Sequence, residues 1–384
     1  MSPRIRLSLW AALLTLLAAQ VQAVPAAAAD SPAAPPAAPA SAAQLIESLG
    51  LHVAPAPVRE RKDWHPPRVI LVGSFLQDLH GLLPRLAAAA PSVRFVAIDK
   101  ATPRDIAAAD ATIGVCSAEV LKAAEHLAWI QWPAAGVDRC VQQPLLRERA
   151  PLLTNLQRTM GASIAEHVIA LMLALSRHFD EFYLQQQQGH WEAYESAPEL
   201  EDVAGKTVLI AGLGGIGTEV ARRAHALGLR VVATRASGRE GPDFVSYVGL
   251  PDELPKLAKD ADFVVNCLPL TPETTGIFNK EFFATMKHSA YFISIGRGRS
   301  TVTADLTAAL TQGTIAGAGL DVVDPEPLPP DNALWHAPHL ILTPHVSANT
   351  AVAEQTRDAV LIENLRRYVA GEPMLSVVDI SKGY

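Results

Sequence analysis

The stretch Lys206-Thr-Val-Leu-Ile-Ala-Gly-Leu-Gly-Gly-Ile-Gly217 constrains this chain more than any other. An apolar run, Val208 to Ala211, leads straight into Gly212-Leu-Gly214-Gly-Ile-Gly217. A helical pattern follows, with Val220, Ala221, Ala224 and Leu227 on one face and a stop at Gly228, and then a second apolar run, Leu229 to Thr234. Strand, glycine turn, helix and strand in this order form the parallel unit that cradles a dinucleotide. The glycines give a tight turn, close backbone approach to a pyrophosphate, and helix-on-sheet packing. The helix N-terminus offers free N–H groups and partial positive charge to the phosphates. Gly212, Gly214, Gly215, Ile216 and Gly217 are therefore candidate cofactor residues. The competing reading is a glycine turn chosen for packing alone.

Sites that prefer NAD carry Asp or Glu after the second strand, to accept hydrogen bonds from the ribose 2′-hydroxyl. Here that place is held by Arg235, with Ser237 two residues on. A cation and a hydroxyl suit a 2′-phosphate, and no carboxylate is there to repel it. The expectation is NADP(H) preferred with NAD(H) possible; the alternative is an ordinary solvated arginine.

At 384 residues the chain exceeds one compact core, so two domains are expected. A net charge of −7 argues against a nucleic-acid footprint. Cys116, Cys140 and Cys267 have neither a disulfide framework nor metal spacing, so each is expected to be a small buried apolar residue, and no metal is expected. Arg4 and Arg6, an apolar run from Leu7 to about Ala19, and Val21-Gln22-Ala23 make a secretory signal layout over residues 1–23. The run is too short for a comfortable membrane span. Val24 to Ala40 is nearly all Ala and Pro and reads as a tether, with a lead-in to residue 66. A periplasmic or secreted mature protein is expected; the alternatives are a retained anchor or a start downstream, with a cytoplasmic protein.

From Pro67 the chain alternates strand and helix. Val69 to Val72, Val93 to Ile98, Ala111 to Val115 and Ala128 to Trp132 read as strands, and Ser163 to about Gln187 as one long helix carrying His167 and His178. Beyond the glycine unit come strands at Phe263 to Asn266, Tyr291 to Ile295, Thr314 to Leu320 and Leu340 to Thr343, then a helix from about Ala351 to Ala370 stopped by Gly371. Ligands of an open parallel sheet bind past the carboxyl ends of its strands. Just past these ends stand Cys267-Leu268-Pro269, Gly296-Arg297-Gly298, Asp321 with Glu326 soon after, and Thr343-Pro-His345. Reduction of a 2-oxo acid needs a proton for the carbonyl oxygen and a cation for the carboxylate. A histidine beside a carboxylate fits the first role and an arginine the second. The glycines at 296 and 298 would let substrate approach the Arg297 backbone.

Ala135-Gly-Val-Asp138, Ser163-Ile-Ala-Glu-His167, the Gly212–Gly217 loop, Cys267-Leu-Pro-Leu-Thr271, Gly296-Arg297-Gly298, Gly317-Ala-Gly-Leu-Asp-Val322, Pro325-Glu-Pro327 and Thr343-Pro-His345 together resemble the D-isomer-specific 2-hydroxyacid dehydrogenases, above all their glyoxylate/hydroxypyruvate reductase-like members. The resemblance spans about Pro67 to Val378. It implies two Rossmann-like, doubly wound parallel-sheet α/β domains with the active site in the cleft between them. A substrate domain would be built from 67–162 plus 348–384, and a dinucleotide domain from 163–347. It also implies Arg297, Glu326 and His345 as catalytic residues, Asp321 as holder of the nicotinamide amide, and a homodimer. The chain departs from the family at Arg235 and in its signal-like start. Two rivals share the fold: a non-catalytic NADPH-binding sensor, and a dehydrogenase of formate or phosphite.

Overall fold

The structure is a computed structural model that describes residues 41–74, 79–191, 193 and 197–384. The signal-like segment 1–23 and the tether to Ala40 lie outside the described residues. Strands covered on both faces read as unbroken apolar runs, and Val69-Ile-Leu-Val72 is buried at every position. That run is β1 (Val69–Val72). With β2 (Arg94–Ala97), β3 (Ala111–Ile113), β4 (Trp129–Gln131) and β5 (Leu152–Thr154) it makes an all-parallel sheet in the order β2-β1-β3-β4-β5.

A second all-parallel sheet holds β6 (Thr207–Ala211), β7 (Arg230–Thr234), β8 (Tyr247–Gly249), β9 (Phe263–Asn266), β10 (Tyr291–Ser294), β11 (Gly317–Leu320) and β12 (Leu340–Leu342). Its order is β12-β11-β10-β9-β6-β7-β8, so the winding reverses between β6 and β9, where a crevice opens. The register sets the site. Ala211 pairs with Thr234 and Asn266, Asn266 with Ser294, Ser294 with Leu320, and Leu320 with Leu342. The loops beginning at Gly212, Arg235, Cys267, Ile295, Asp321 and Thr343 therefore leave the sheet at one level.

Six helices matter below: α1 (Ala42–Leu49), α2 (Asp138–Val141), α3 (Gly161–Ser176), α4 (Phe179–Gln187), α5 (Gly215–Ala226) and α6 (Ala351–Ala370). α3 and α5 share one core with β6, through Ile164, Val168, Leu171, Val208, Val220 and Ala224. α6 returns to the first sheet, where Val360, Leu361, Leu365 and Tyr368 join Ile70 and Trp129. Tyr368 stacks on Trp129 at 4.5 Å between ring centroids, and buried Asn364 bonds Gln131 Oε1 (2.9 Å) and the Leu375 N–H (2.8 Å). Part of the 24–66 lead-in is folded: α1 starts at Ala42, and Leu51 and Val58 are buried in this same core.

The single helix expected over Ser163–Gln187 is two. His178 stands between α3 and α4 in a left-handed conformation (φ 54°), and its Nδ1 meets Glu181 Oε1 at 2.8 Å, which re-aims the chain. The apolar periodicity continues across the break, so it carries no trace of it. β5 and β8 were not anticipated; each is only three residues long. Among the described residues no helix is long and apolar enough to cross a membrane.

Candidate active site

Gly212 leaves β6 at φ 97°, where a Cβ would sit 3.0 Å from the Cys267 carbonyl oxygen. At Gly217 a Cβ would fall 2.1 Å from the Gly212 oxygen, so helix α5 can lie this close to its own loop only with glycine there. Gly214 differs: a Cβ there would meet nothing within 4 Å, and as N-cap of α5 it offers no side-chain cap to the first-turn N–H groups. That open cradle, followed by Gly215 and Ile216 in the first turn, fits a pyrophosphate.

One edge of the cradle leads to Arg235. Its Nη1 donates to the Glu240 carbonyl at 3.0 Å, and among the described residues no carboxylate pairs with it. Arg239 is already committed, to Glu253 at 2.7 Å and to the Tyr247 hydroxyl at 2.9 Å. Arg235 is thus a cation after β7 with no carboxylate partner among the described residues, and exposed Ser237 lies close by in sequence. On the other side the Cys267 N–H donates to the Ala211 oxygen (2.8 Å), and the Leu268 N–H to Asn266 Oδ1 (3.0 Å). Asn266 is itself braced by Ser294 and Ser300. This presents Leu268 and Pro269 at the crevice rim.

Asp321 is buried. Its Oδ1 accepts from the Thr343 hydroxyl (2.6 Å) and the Val346 N–H (2.9 Å), and its Oδ2 from the Ser347 N–H (3.0 Å). Burial pushes this carboxyl up, but those bonds prevail and hold it below the ordinary carboxylate range. The carboxylate therefore ties down the turn that carries His345. His167 Nε2 lies 2.9 Å from the Thr343 hydroxyl and so joins α3 to the same turn.

At the crevice rim His345, in a left-handed conformation (φ 55°), places Nδ1 3.0 Å from Glu326 Oε2. Glu326 Oε1 accepts from the Val323 N–H at 3.1 Å. Burial raises the Glu326 carboxyl, yet the His345 ring, the Val323 N–H and the Arg297 charge together hold it below its ordinary range. Arg297 donates from Nε to Asp138 Oδ1 (2.8 Å) and from Nη1 to the Gly296 oxygen (2.8 Å). Arginine, glutamate and histidine are thus brought to one place. The space at glycines 296 and 298 is not left for substrate, contrary to expectation. A Cβ at 296 would lie 2.8 Å from the Leu268 oxygen, and one at 298 only 1.7 Å from the Val323 oxygen, so neighbouring loops fill both positions.

The tie of two further residues to Arg297 was not legible in the sequence. Asp138 is the partner of Arg297, and Gly136 is its floor: a Cβ there would sit 1.7 Å from Arg297 Nη2. Both lie in the Ala135–Asp138 motif, but nothing in the spacing ties that motif to a residue 159 positions on. The cysteine expectation also needs correction. Cys116 and Cys140 form a disulfide, with Cα atoms 5.5 Å apart, and only Cys267 is free. The loops after the adjacent parallel strands β3 and β4 rise side by side, which brings together positions 24 residues apart.

The sequence profile of the D-isomer specific 2-hydroxyacid dehydrogenase NAD binding domain matches residues 169–347. A glyoxylate/hydroxypyruvate reductase A of Yersinia enterocolitica is 33% identical over 255 residues, 65% of this chain and 79% of that protein. Among solved structures, an NADPH-dependent glyoxylate/hydroxypyruvate reductase from Sinorhizobium meliloti, in complex with NADP and sulfate, superposes with a TM-score of 0.73. It is 27% identical, covering 83% of this chain and 100% of the other. A D-isomer specific 2-hydroxyacid dehydrogenase from Xanthobacter autotrophicus, in complex with NADPH, gives 0.71 at 28% identity, covering 83% and 100%.

Proposed function

The chain belongs to the D-isomer-specific 2-hydroxyacid dehydrogenases, and on that premise we propose that it reduces a small 2-oxo acid of the glyoxylate/hydroxypyruvate type to the D-2-hydroxy acid with NADPH. The observation that carries this reading is the Glu326–His345 pair, 3.0 Å apart, with the Arg297 charge bearing on the same carboxylate.

The glycine loop and the first turn of α5 would hold the pyrophosphate, Arg235 and Ser237 the 2′-phosphate, and Cys267-Leu268-Pro269 the crevice wall beside the nicotinamide. When bound, that cofactor supplies the hydride. Arg297 keeps its Nη2 edge for the substrate carboxylate and carbonyl oxygen, a role its permanent charge and planar fork suit. His345 donates a proton to the carbonyl oxygen as charge develops there. Glu326 keeps the ring oriented through its contact with Nδ1. Asp321 serves the same end from below by fixing the turn that bears His345. The family's nicotinamide-amide role for Asp321 stays part of this proposal.

The decisive experiment is a turnover screen with glyoxylate, hydroxypyruvate, pyruvate and phenylpyruvate, each with NADPH and with NADH. Oxidation of NADPH by at least one of the acids supports the proposal. Binding of NADPH with no turnover on any acid would favour the sensor reading. NADPH should be the better cofactor, and Arg235→Asp should move the ratio of kcat/KM values towards NADH, by removing the phosphate's cation and adding a 2′-hydroxyl acceptor. Equal efficiency of the unaltered protein with both cofactors would refute a phosphate role for Arg235.

We also propose the split arrangement, with 67–162 plus 348–384 as substrate domain and 163–347 as cofactor domain, and a homodimer paired through the cofactor domain. In support of the dimer, Phe179, Tyr183, Leu184 and Trp335 leave a shared apolar groove exposed on that domain. Export is the remaining proposal, supported by the leader pattern and by a disulfide, which persists in oxidising compartments. Sequencing the mature N-terminus from fractionated cells should find it near Val24; an intact Met1 in the cytosol would refute export.

A further inference from the structure

We propose that the Cys116–Cys140 disulfide is a redox-controlled clamp on substrate binding. It fixes helix α2 and, through Asp138, aims the Arg297 guanidinium. The inference rests on the reading of Arg297 as the substrate's cation.

Asp138 opens α2, a helix of four residues whose N-cap, Val137, supplies no side-chain cap. So short a helix does not hold its own geometry. Fixity must come from outside, and Cys140, fully buried two residues after Asp138, is where a covalent tie enters. The other end of the tie is Cys116, in the loop that leaves β3 through Gly114 (φ 73°). That loop is itself anchored: a Cβ at Gly73, just past β1, would lie 2.5 Å from the Gly114 oxygen. The disulfide thus binds α2 to loops already packed at the carboxyl edge of the first sheet.

What α2 then holds is specific. Asp138 Oδ1 takes Arg297 Nε at 2.8 Å, and Gly136, two residues earlier, lies directly under Nη2. One short segment of the first sheet's loops therefore sets the pitch of a guanidinium that grows from β10 of the second sheet. A charge-assisted bond of this kind is strong only while its geometry is kept. A carboxylate drifting by an ångström would let the fork turn and lose its approach to the substrate carboxylate.

Opening the clamp is a two-electron step. An attacking dithiol breaks the S–S bond, each cysteine gains a proton as a thiol, and the dithiol ends as its own cyclic disulfide. Cys267 takes no part, so full reduction changes the thiol count from one to three. In an oxidising compartment the tight-binding form would persist, and a reducing one would relax it. Cys116 and Cys140 are on this account positioning residues. They touch no reacting atom and act only through Asp138 and Arg297.

The test compares the untreated protein, the dithiothreitol-treated protein, the Cys116→Ser/Cys140→Ser double variant and Asp138→Asn, all with NADP(H). Thiols are counted in denaturant, and binding of oxalate, a dicarboxylate that cannot be reduced, is measured by calorimetry beside KM and kcat. The untreated protein should titrate one thiol. Reduction should weaken oxalate binding and raise KM by about tenfold, with a smaller change in kcat, and reoxidation should restore both. The double variant should start at the reduced values and ignore dithiothreitol. Asp138→Asn should bind weakly and lose most of the response, because the two changes share one path.

Three thiols in untreated protein from an oxidising compartment would overturn the proposal. So would equal oxalate binding and KM before and after reduction, even if the melting temperature fell, since that is the signature of a simple staple. An undiminished response in Asp138→Asn would remove Asp138 from the path and overturn it as well. If no 2-oxo acid is turned over but oxalate binding still follows the thiol count, the substrate reading fails and the clamp stands.

Discussion

Replacing His345 with asparagine is expected to lower kcat by about 10² to 10⁴, the usual contribution of a positioned acid–base group, while leaving NADPH binding intact in a fluorescence titration. The loss should fall on kcat because the proposed work of the ring is proton donation, needed only as charge develops on the carbonyl oxygen. Glu326→Gln is the companion variant. It keeps the shape of the partner 3.0 Å from Nδ1 but removes the negative charge beside the ring. The acid limb of the pH–rate profile, set by titration of the Glu326 carboxyl, should therefore disappear. The sign for the unaltered pair follows from Glu326. Its carboxyl is held below the ordinary range, so the contribution of the Glu326 carboxylate is present above that range and is lost as pH falls through the lowered value. An unchanged profile in Glu326→Gln would break the His345–Glu326 assignment.

Arg297→Lys is expected to cost about a hundredfold or more in kcat/KM despite keeping the charge. Arg297 spends Nε on Asp138 and Nη1 on the Gly296 oxygen, and still presents Nη2. Lysine gathers its donors at one point on a flexible stem. It cannot hold Asp138 and a substrate carboxylate in the same plane. Steady-state kinetics should show KM rising and kcat falling together. Near-normal kcat/KM in the lysine variant would mean that charge alone suffices and that the planar geometry built around Gly136 is incidental.

Much of the fold was legible because parallel strands buried on both faces leave unbroken apolar runs. Val69–Val72 and Val208–Ala211 read that way, and the glycine loop marked where the crevice opens. The placement of the candidate site was legible because it hangs from strand ends: Arg297, Glu326 and His345 could be placed on one edge once the strands were counted. What stayed hidden depends on contacts between distant segments or on single backbone angles. The Asp138–Arg297 pair and the Cys116–Cys140 bridge arise only when neighbouring strand ends are brought together. The break at His178 is one left-handed residue inside an otherwise continuous apolar pattern. Likewise the glycines at 296 and 298 looked like room for a ligand and proved to be room for Leu268 and Val323.

The return of α6 to the first sheet sets an order of events during synthesis. β5 ends at Thr154, but the core above Trp129 has no lid until Tyr368 and its neighbours emerge, more than two hundred residues later. At about 5–20 residues per second that delay is roughly 10–40 s. Throughout it, the first half of the chain cannot close its interior, whereas the β6–β12 sheet lies wholly within the intervening stretch. A ribosome-bound chain therefore keeps its leading half open until its last helix is made.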